Sequence, residues 1–125
     1  MIQPNELRLN NWVLNYKGEY KQIKDICEDG SVWLRCNLCV KAKYRHKLEG
    51  LNPIPLTEER LIKLSAEKHT PDNTYKLDGI IIDLKLGIAM LDCENCTPLL
   101  GMCKYLHQLQ NIYFIRKNQE LEIEL

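Results

Sequence analysis

The stretch Tyr20-Lys-Gln-Ile-Lys-Asp-Ile26, followed by Asp29-Gly30 and an alternating run from Val32, decides how the first half of the chain folds. Asp-Gly between two runs of alternating apolar and polar residues is among the stronger short-range signals for a β-hairpin. From Val32 to Ala42 every second residue is apolar. This period of two predicts one long strand with an apolar and a polar face.

The segments on either side of this hairpin predict a small barrel. Trp12–Tyr16 reads as a strand that ends in a tight turn at Lys17-Gly18, and Leu51-Asn-Pro-Ile-Pro-Leu56 reads as an extended segment. Because proline has no N–H to donate to a ladder, this last segment is expected at a sheet edge or in a linker. We therefore predict that residues 1–56 form an SH3-like β subdomain, a five-stranded barrel or meander.

The second half of the sequence predicts helices around a short sheet. Thr57 can cap a first helix, and Glu58 and Glu59 place negative charge at its positive end. An antiparallel β region is expected around Asp78-Gly79, and a C-terminal helix is expected from about Met102 to Arg116. Residues 57–125 are thus predicted to be an α+β subdomain that packs with residues 1–56 as one compact unit. The predicted fold class is α+β.

Composition and the length of the apolar runs argue against a membrane-spanning or secreted protein. The 125 residues contain seventeen Lys and Arg against seventeen Asp and Glu, so the chain as a whole carries no net charge. The longest apolar runs, such as Ile80–Ile82, fall far short of the ~20 residues that span a bilayer. The segment Met1–Arg8 lacks the apolar core of a secretory signal. We expect a cytoplasmic protein without a membrane partner.

Six cysteines raise the question of a metal site. Cys36 with Cys39, and Cys93 with Cys96, form two C-x-x-C pairs whose four thiolates would suit tetrahedral zinc. On a straight strand, however, Cys36 and Cys39 point to opposite faces and do not chelate one ion. We therefore predict reduced thiols, no metal and no cofactor. A zinc-stabilised interaction module stays open as an alternative.

Two stretches carry a family resemblance. Pro53-Ile-Pro-Leu-Thr-Glu-Glu59 opens the first helix, and Tyr105-Leu-His-Gln-Leu-Gln-Asn-Ile-Tyr-Phe114 lies in the last one. Together with the order of segments, the chain resembles a group of small uncharacterised proteins encoded in phages and prophages of gut bacteria. The resemblance implies a phage-associated soluble protein. It implies no activity and no functional residues.

A basic strand face is the first candidate site. Residues 1–56 hold nine Lys and Arg against six acids, whereas residues 57–125 hold eight against eleven. An aromatic side chain among cations is how small barrels hold single-stranded nucleic acid, since cations follow phosphates and rings stack on bases. The alternative is a solvated, lysine-rich face that discourages edge pairing. The candidate nucleic-acid-binding residues are Trp33, Arg35, Lys41, Lys43, Arg45 and Lys47.

The polar side of the last helix is the second candidate. An exposed aromatic beside polar groups suits a protein–protein contact, so His107, Asn111 and Phe114 are the candidate partner-binding residues. The alternative is that other parts of the chain cover this strip.

The sequence has no G-x-G-x-x-G, P-loop, H-E-x-x-H or G-x-S-x-G motif. We predict a non-catalytic binding or adaptor protein of phage or prophage origin with an unidentified protein partner, or alternatively a nucleic-acid-binding accessory protein. No oligomeric state follows from the sequence.

Overall fold

The architecture comes from a computed structural model, which describes residue 2 and residues 4–34, 45–70, 73–94 and 96–123. The chain divides into two compact units, Met1–Ile54 and Pro55–Leu125. One antiparallel sheet lies in each unit, and helices accompany them. The predicted α+β class is confirmed at this level. The expected packing of the two parts as one body stays a prediction.

The first unit is a four-stranded antiparallel meander with the strand order β1-β2-β3-β4. Single 3-10 turns precede and follow it, at Pro4–Glu6 and Leu48–Gly50. The strands are β1 (Trp12–Leu14), β2 (Tyr20–Ile26), β3 (Val32–Leu34) and β4 (Arg45–His46).

Side chains build both predicted turns of this meander. The Asn15 carboxamide oxygen accepts the backbone N–H groups of Lys17 and Glu19, each at 2.9 Å. Asp29 accepts the backbone N–H of Ser31 at 2.9 Å, next to Gly30 in a left-handed conformation. Inward-facing strand residues, together with Ile2 before the meander and Leu51 after it, form the core. Its members are Ile2, Val13, Ile23, Val32, Leu34 and Leu51.

The five-stranded barrel that the sequence predicts as one form of this subdomain is wrong, and the other predicted form, a meander, is observed among the described residues. Beyond β1, the described residues add only one isolated bridge, in which Leu14 and Asn52 exchange backbone hydrogen bonds of 2.9 Å. Pro53 follows directly and has no N–H with which to continue the ladder. The described part of the sheet is therefore open. Of the long strand predicted from Val32, only Val32–Leu34 is described, and β4 pairs antiparallel with it.

The second unit is a helix, a five-stranded antiparallel meander in the order β5-β6-β7-β8-β9, and a longer helix. Its elements are α1 (Glu58–Lys63), β5 (Glu67–Thr70), β6 (Thr74–Leu77), β7 (Ile80–Asp83), β8 (Ile88–Leu91), β9 (Leu99–Met102) and α2 (Leu106–Lys117).

Local sequence accounts for the first elements of this unit. The Thr57 hydroxyl accepts the backbone N–H of Arg60 at 3.2 Å, which confirms the predicted cap of α1. The helix ends at Lys63, Ser65 then takes a left-handed φ of 68°, and β5 follows. Asp78 and Gly79 both have positive φ, as a two-residue hairpin turn between β6 and β7 requires.

The last helix begins later than predicted. Leu99–Met102 pairs with β8 instead, so Met102 lies in a strand and is 54% exposed. The helix starts where the Gln108 side chain reaches back and accepts the backbone N–H groups of Lys104 and Tyr105, at 2.9 and 3.2 Å. This is the N3 half of a capping box. Leu121–Ile123 follow the helix without forming a strand.

Candidate functional site

The structure describes only half of the predicted nucleic-acid face. Trp33 is half-buried in β3 and lies opposite Arg45 of β4 in register, and the exposed Lys47 follows β4. Arg35, Lys41 and Lys43 lie outside the described residues. On its other side Trp33 is paired with Asp25 of β2. An acidic residue therefore adjoins the tryptophan, so the described part of this face is not uniformly basic.

The prediction that the polar side of the last helix is exposed is wrong for His107. This residue is only 1% exposed, and its ring stacks on that of Tyr105 with centroids 6.0 Å apart and planes inclined by 7°. Because α2 begins only at Leu106, His107 lies in its covered first turn. Asn111 and Phe114 are half-buried and each interacts within the chain. Their role in partner binding stays a prediction.

The cysteines do not form a metal centre in the part of the chain that the structure describes. Cys93 is half-buried and Cys96 is exposed, and within the described ranges no group of three or more His, Cys, Asp or Glu side chains is placed to hold a metal ion. Cys36 and Cys39 lie outside those ranges. Burial raises the pKa of the Cys103 thiol to about 12, so this cysteine stays protonated and is a poor nucleophile at neutral pH.

A polar cleft of about 440 Å³ lies in the second unit, a volume within the usual range for small-ligand sites. Sequence reasoning did not single it out. It is formed by the end of α1, the turn between β6 and β7, α2 and the segment that follows α2. The lining residues are Lys63, Leu64, Ser65, Leu77, Asp78, Tyr113, Gln119, Glu120, Leu121 and Glu122.

Three left-handed residues shape this cleft by ending the elements around it. Ser65 (φ 68°) ends α1, where the N–H of Ala66 returns to the carbonyl of Leu61 at 2.9 Å. Asp78 (φ 47°) turns the chain from β6 into β7. Asn118 (φ 54°) ends α2 and donates its N–H to the carbonyl of Phe114 at 2.7 Å. Such caps satisfy carbonyls at a helix end and redirect the backbone sharply.

The Tyr113 hydroxyl donates a hydrogen bond of 2.8 Å to Oδ2 of Asp78 at the cleft. This bond, followed by burial and the nearby negative charge, raises the pKa of Tyr113 above its usual value of 10.0. Tyr113 is therefore a neutral donor at physiological pH. It fixes one carboxylate oxygen of Asp78 and leaves the other available as an acceptor.

The remaining groups make the cleft acidic and mostly polar, with a smaller apolar part. Asp78, Glu120 and Glu122 supply three carboxylates against the single ammonium group of Lys63. Leu64, Leu77 and Leu121 supply apolar surface. A long aliphatic stem that ends in a cation, as in lysine or arginine, matches this combination. The cleft lining includes no histidine or cysteine among the described residues.

The sequence signal for this cleft was present only in part. The sequence predicts a turn at Asp78-Gly79, but a turn gives no indication of what lies opposite it. Tyr113 lies within the predicted last helix. Its contact with Asp78 joins residues 35 positions apart, and no local pattern indicates such a pairing.

Comparison with known proteins identifies no relative. No protein-family model matches the chain, and neither a curated protein nor a solved structure does so. None of the helices among the described residues has the length and apolar character needed to cross a bilayer. The geometry of the second unit is therefore the basis on which a function is inferred.

Proposed function

We propose that this chain is a non-catalytic binding or adaptor protein of phage or prophage origin that acts in the cytoplasm. Its second unit binds a lysine or arginine side chain of a partner protein in the cleft beside Asp78 and Tyr113. The observation that carries this proposal is the placement of three carboxylates and a neutral tyrosine donor around an open, partly aliphatic cleft.

The net charge of the second unit also favours a basic partner. The second unit holds eight Lys and Arg against eleven Asp and Glu, a formal charge of −3. A field of this sign draws a basic segment toward the unit before contact is made. Inside the cleft, the Asp78 carboxylate, held by Tyr113, offers a preorganised acceptor.

Calorimetry with a basic peptide tests this proposal. The probe is the capped peptide Gly-Leu-Lys-Leu-Gly, and its control replaces lysine by Nε-acetyl-lysine, which keeps the stem but removes the charge. Glu120→Gln with Glu122→Gln should weaken binding of the lysine peptide by about threefold to tenfold, because each partly exposed charge pair contributes little alone. Glu59→Gln with Glu67→Gln makes the same change in net charge outside the cleft lining and should leave the affinity unchanged. Equal binding of both peptides, or no binding of either, would contradict the proposal.

We further propose that the first unit is SH3-like in topology. The support is the 3-10 turn at Leu48–Gly50 and the bridge that follows it, in which Asn52 pairs with Leu14 of β1. That bridge places the segment after the 3-10 turn beside the first strand, where a fifth SH3 strand would lie. The open sheet would then be an SH3-like meander whose last strand is cut short by Pro53.

A second candidate function is binding of single-stranded nucleic acid by this first unit. The observation that favours it is the register pairing of Trp33 with Arg45, which sets an aromatic residue beside a basic one. Lys41→Glu with Lys43→Glu should weaken binding to a labelled oligothymidylate, and the wild-type affinity should fall with salt as counterions are released. Lys17→Glu with Lys85→Glu is the charge-matched control. If the wild-type protein does not bind at low salt, this candidate is wrong.

A further inference from the structure

The two edges of the second sheet differ in charge. β5 forms one edge and carries Glu67, Lys68 and His69, all exposed. β9 forms the other edge, and the sequence has no charged residue between Glu94 and Lys104. Charged side chains on an edge strand block pairing with a further strand, and their absence leaves the edge open to it. β9 is therefore the edge that is suited to a partner.

Backbone groups on this edge point away from the sheet. Cys103 donates its N–H to the carbonyl of Gly87 at 2.8 Å, and Leu91 donates to the carbonyl of Pro98 at 2.9 Å, so Cys103 and Pro98 face β8. Alternation along a strand then turns the N–H and carbonyl groups of the adjacent Met102 and Leu99 outward. Within the described residues no named strand pairs with this side of β9, and just beyond its end Leu56 donates its N–H to the carbonyl of Lys104 at 2.9 Å. A bulge between Leu99 and Gly101 separates these two points.

Apolar side chains lie beside these outward groups. Leu99 is 65% exposed and Met102 is 54% exposed. In register they lie opposite Met90 and Ile88 of β8, both half-buried, so the four share one face of the sheet. We call this set, Ile88, Met90, Leu99 and Met102, the β9 patch. Contiguous exposed apolar surface of this kind marks an interaction site more often than scattered single residues do.

We propose that β9 pairs edge to edge with β9 of a second copy of this chain, antiparallel about a twofold axis, so that Leu99 and Met102 of the β9 patch meet the same residues of the second copy. Charge supports a second copy as the occupant. β9 is preceded by the exposed acid Glu94 and followed by the exposed cation Lys104. Antiparallel pairing brings the basic end of each strand toward the acidic end of the other. Because the chain carries no net charge, two copies meet without overall repulsion.

Sedimentation velocity of the full chain over a range of concentrations tests this dimer. The wild-type protein should pass from monomer to dimer as its concentration rises. Met102→Lys introduces a charge at the twofold contact and should raise the dissociation constant of the dimer at least about tenfold. Ile62→Lys makes the same kind of change on α1, where Ile62 is 59% exposed, and should leave the dissociation constant unchanged. Far-UV circular dichroism of each variant confirms that it is folded.

A charge-reversal experiment distinguishes this specific contact from nonspecific hydrophobic association. Lys104→Glu places like charges at both ends of the paired strands and should weaken the dimer. Combining Lys104→Glu with Glu94→Lys restores the attraction and should restore the dimer. A wild-type protein that stays monomeric at every concentration, a dimer that survives Met102→Lys, or a double variant that stays as weak as Lys104→Glu would each overturn the proposal.

Discussion

The hydroxyl of Tyr113 on α2 donates a 2.8 Å hydrogen bond to Oδ2 of Asp78, in the turn between β6 and β7. This contact links the helix to a hairpin 35 residues earlier in the chain, and it lies at the cleft where we propose that a basic side chain binds. The same bond thus contributes to the stability of the second unit and positions an acceptor for the ligand.

Replacing Tyr113 by phenylalanine should lower the free energy of unfolding by about 0.5–1 kcal/mol, since solvent competes for this partly exposed bond. The stabilisation that the Tyr113 hydroxyl provides should decrease as pH rises into the alkaline range. The folded-state pKa of Tyr113 is raised above 10.0, so the stabilisation is complete below pH 10 and is lost as pH rises through the folded-state pKa. Urea unfolding of both proteins at a series of pH values measures the difference. A difference that stays constant into strong alkali would contradict the assigned bond.

Truncation of the buried side of α2 should destabilise the protein strongly. Leu109 is fully buried, and Leu109→Ala should cost about 2–5 kcal/mol through lost burial and a cavity. His107→Ala should also cost about 1–3 kcal/mol, because the ring is buried. Ile115→Ala, at a position that is 79% exposed, is the control and should change stability by less than about 0.5 kcal/mol. If His107→Ala proves as neutral as the control, the burial described for this residue is wrong.

The hairpin at the cleft should be sensitive to its glycine. Gly79 has φ of 85°, and no other atom lies within 4 Å of the position that a Cβ would take there, so Gly79→Ala strains the backbone without a clash. We expect a loss of about 1 kcal/mol in thermal or chemical unfolding. Gly50→Ala serves as the comparison, because Gly50 has equal space but no positive φ. Similar stabilities for the two variants would argue against the turn conformation.

The cysteines should hold no metal in the native protein. Elemental analysis should find no stoichiometric zinc, and treatment with a chelator should leave the melting temperature unchanged. A structural zinc site contributes folding free energy directly, so its removal would be evident. One zinc per chain, together with a lower melting temperature after chelation, would favour the zinc-stabilised module and a site that includes Cys93 and Cys96.

Local signals in the sequence predicted local structure well. Tyr20–Ile26 and the Asp78-Gly79 hairpin appear as predicted because alternation and a two-residue turn act over a few neighbours. The predicted start of the last helix, at about Met102, is wrong because Leu99–Met102 pairs with β8. This tertiary pairing outweighs the helical periodicity of the local sequence. The same limit applies to the cleft. Its lining comes from four separate segments, and only the fold brings them together.

The most direct test of the proposed function is to map where a basic peptide binds. Titration of the ¹⁵N-labelled full chain with the capped peptide Gly-Leu-Lys-Leu-Gly, followed by ¹H–¹⁵N correlation spectra, reports every backbone amide at once. We predict saturable shifts at Asp78, Gly79, Tyr113 and Gln119, and the Nε-acetyl-lysine peptide should cause none. Shifts that cluster elsewhere in the chain, or an unchanged spectrum at millimolar peptide, would contradict the proposed binding site.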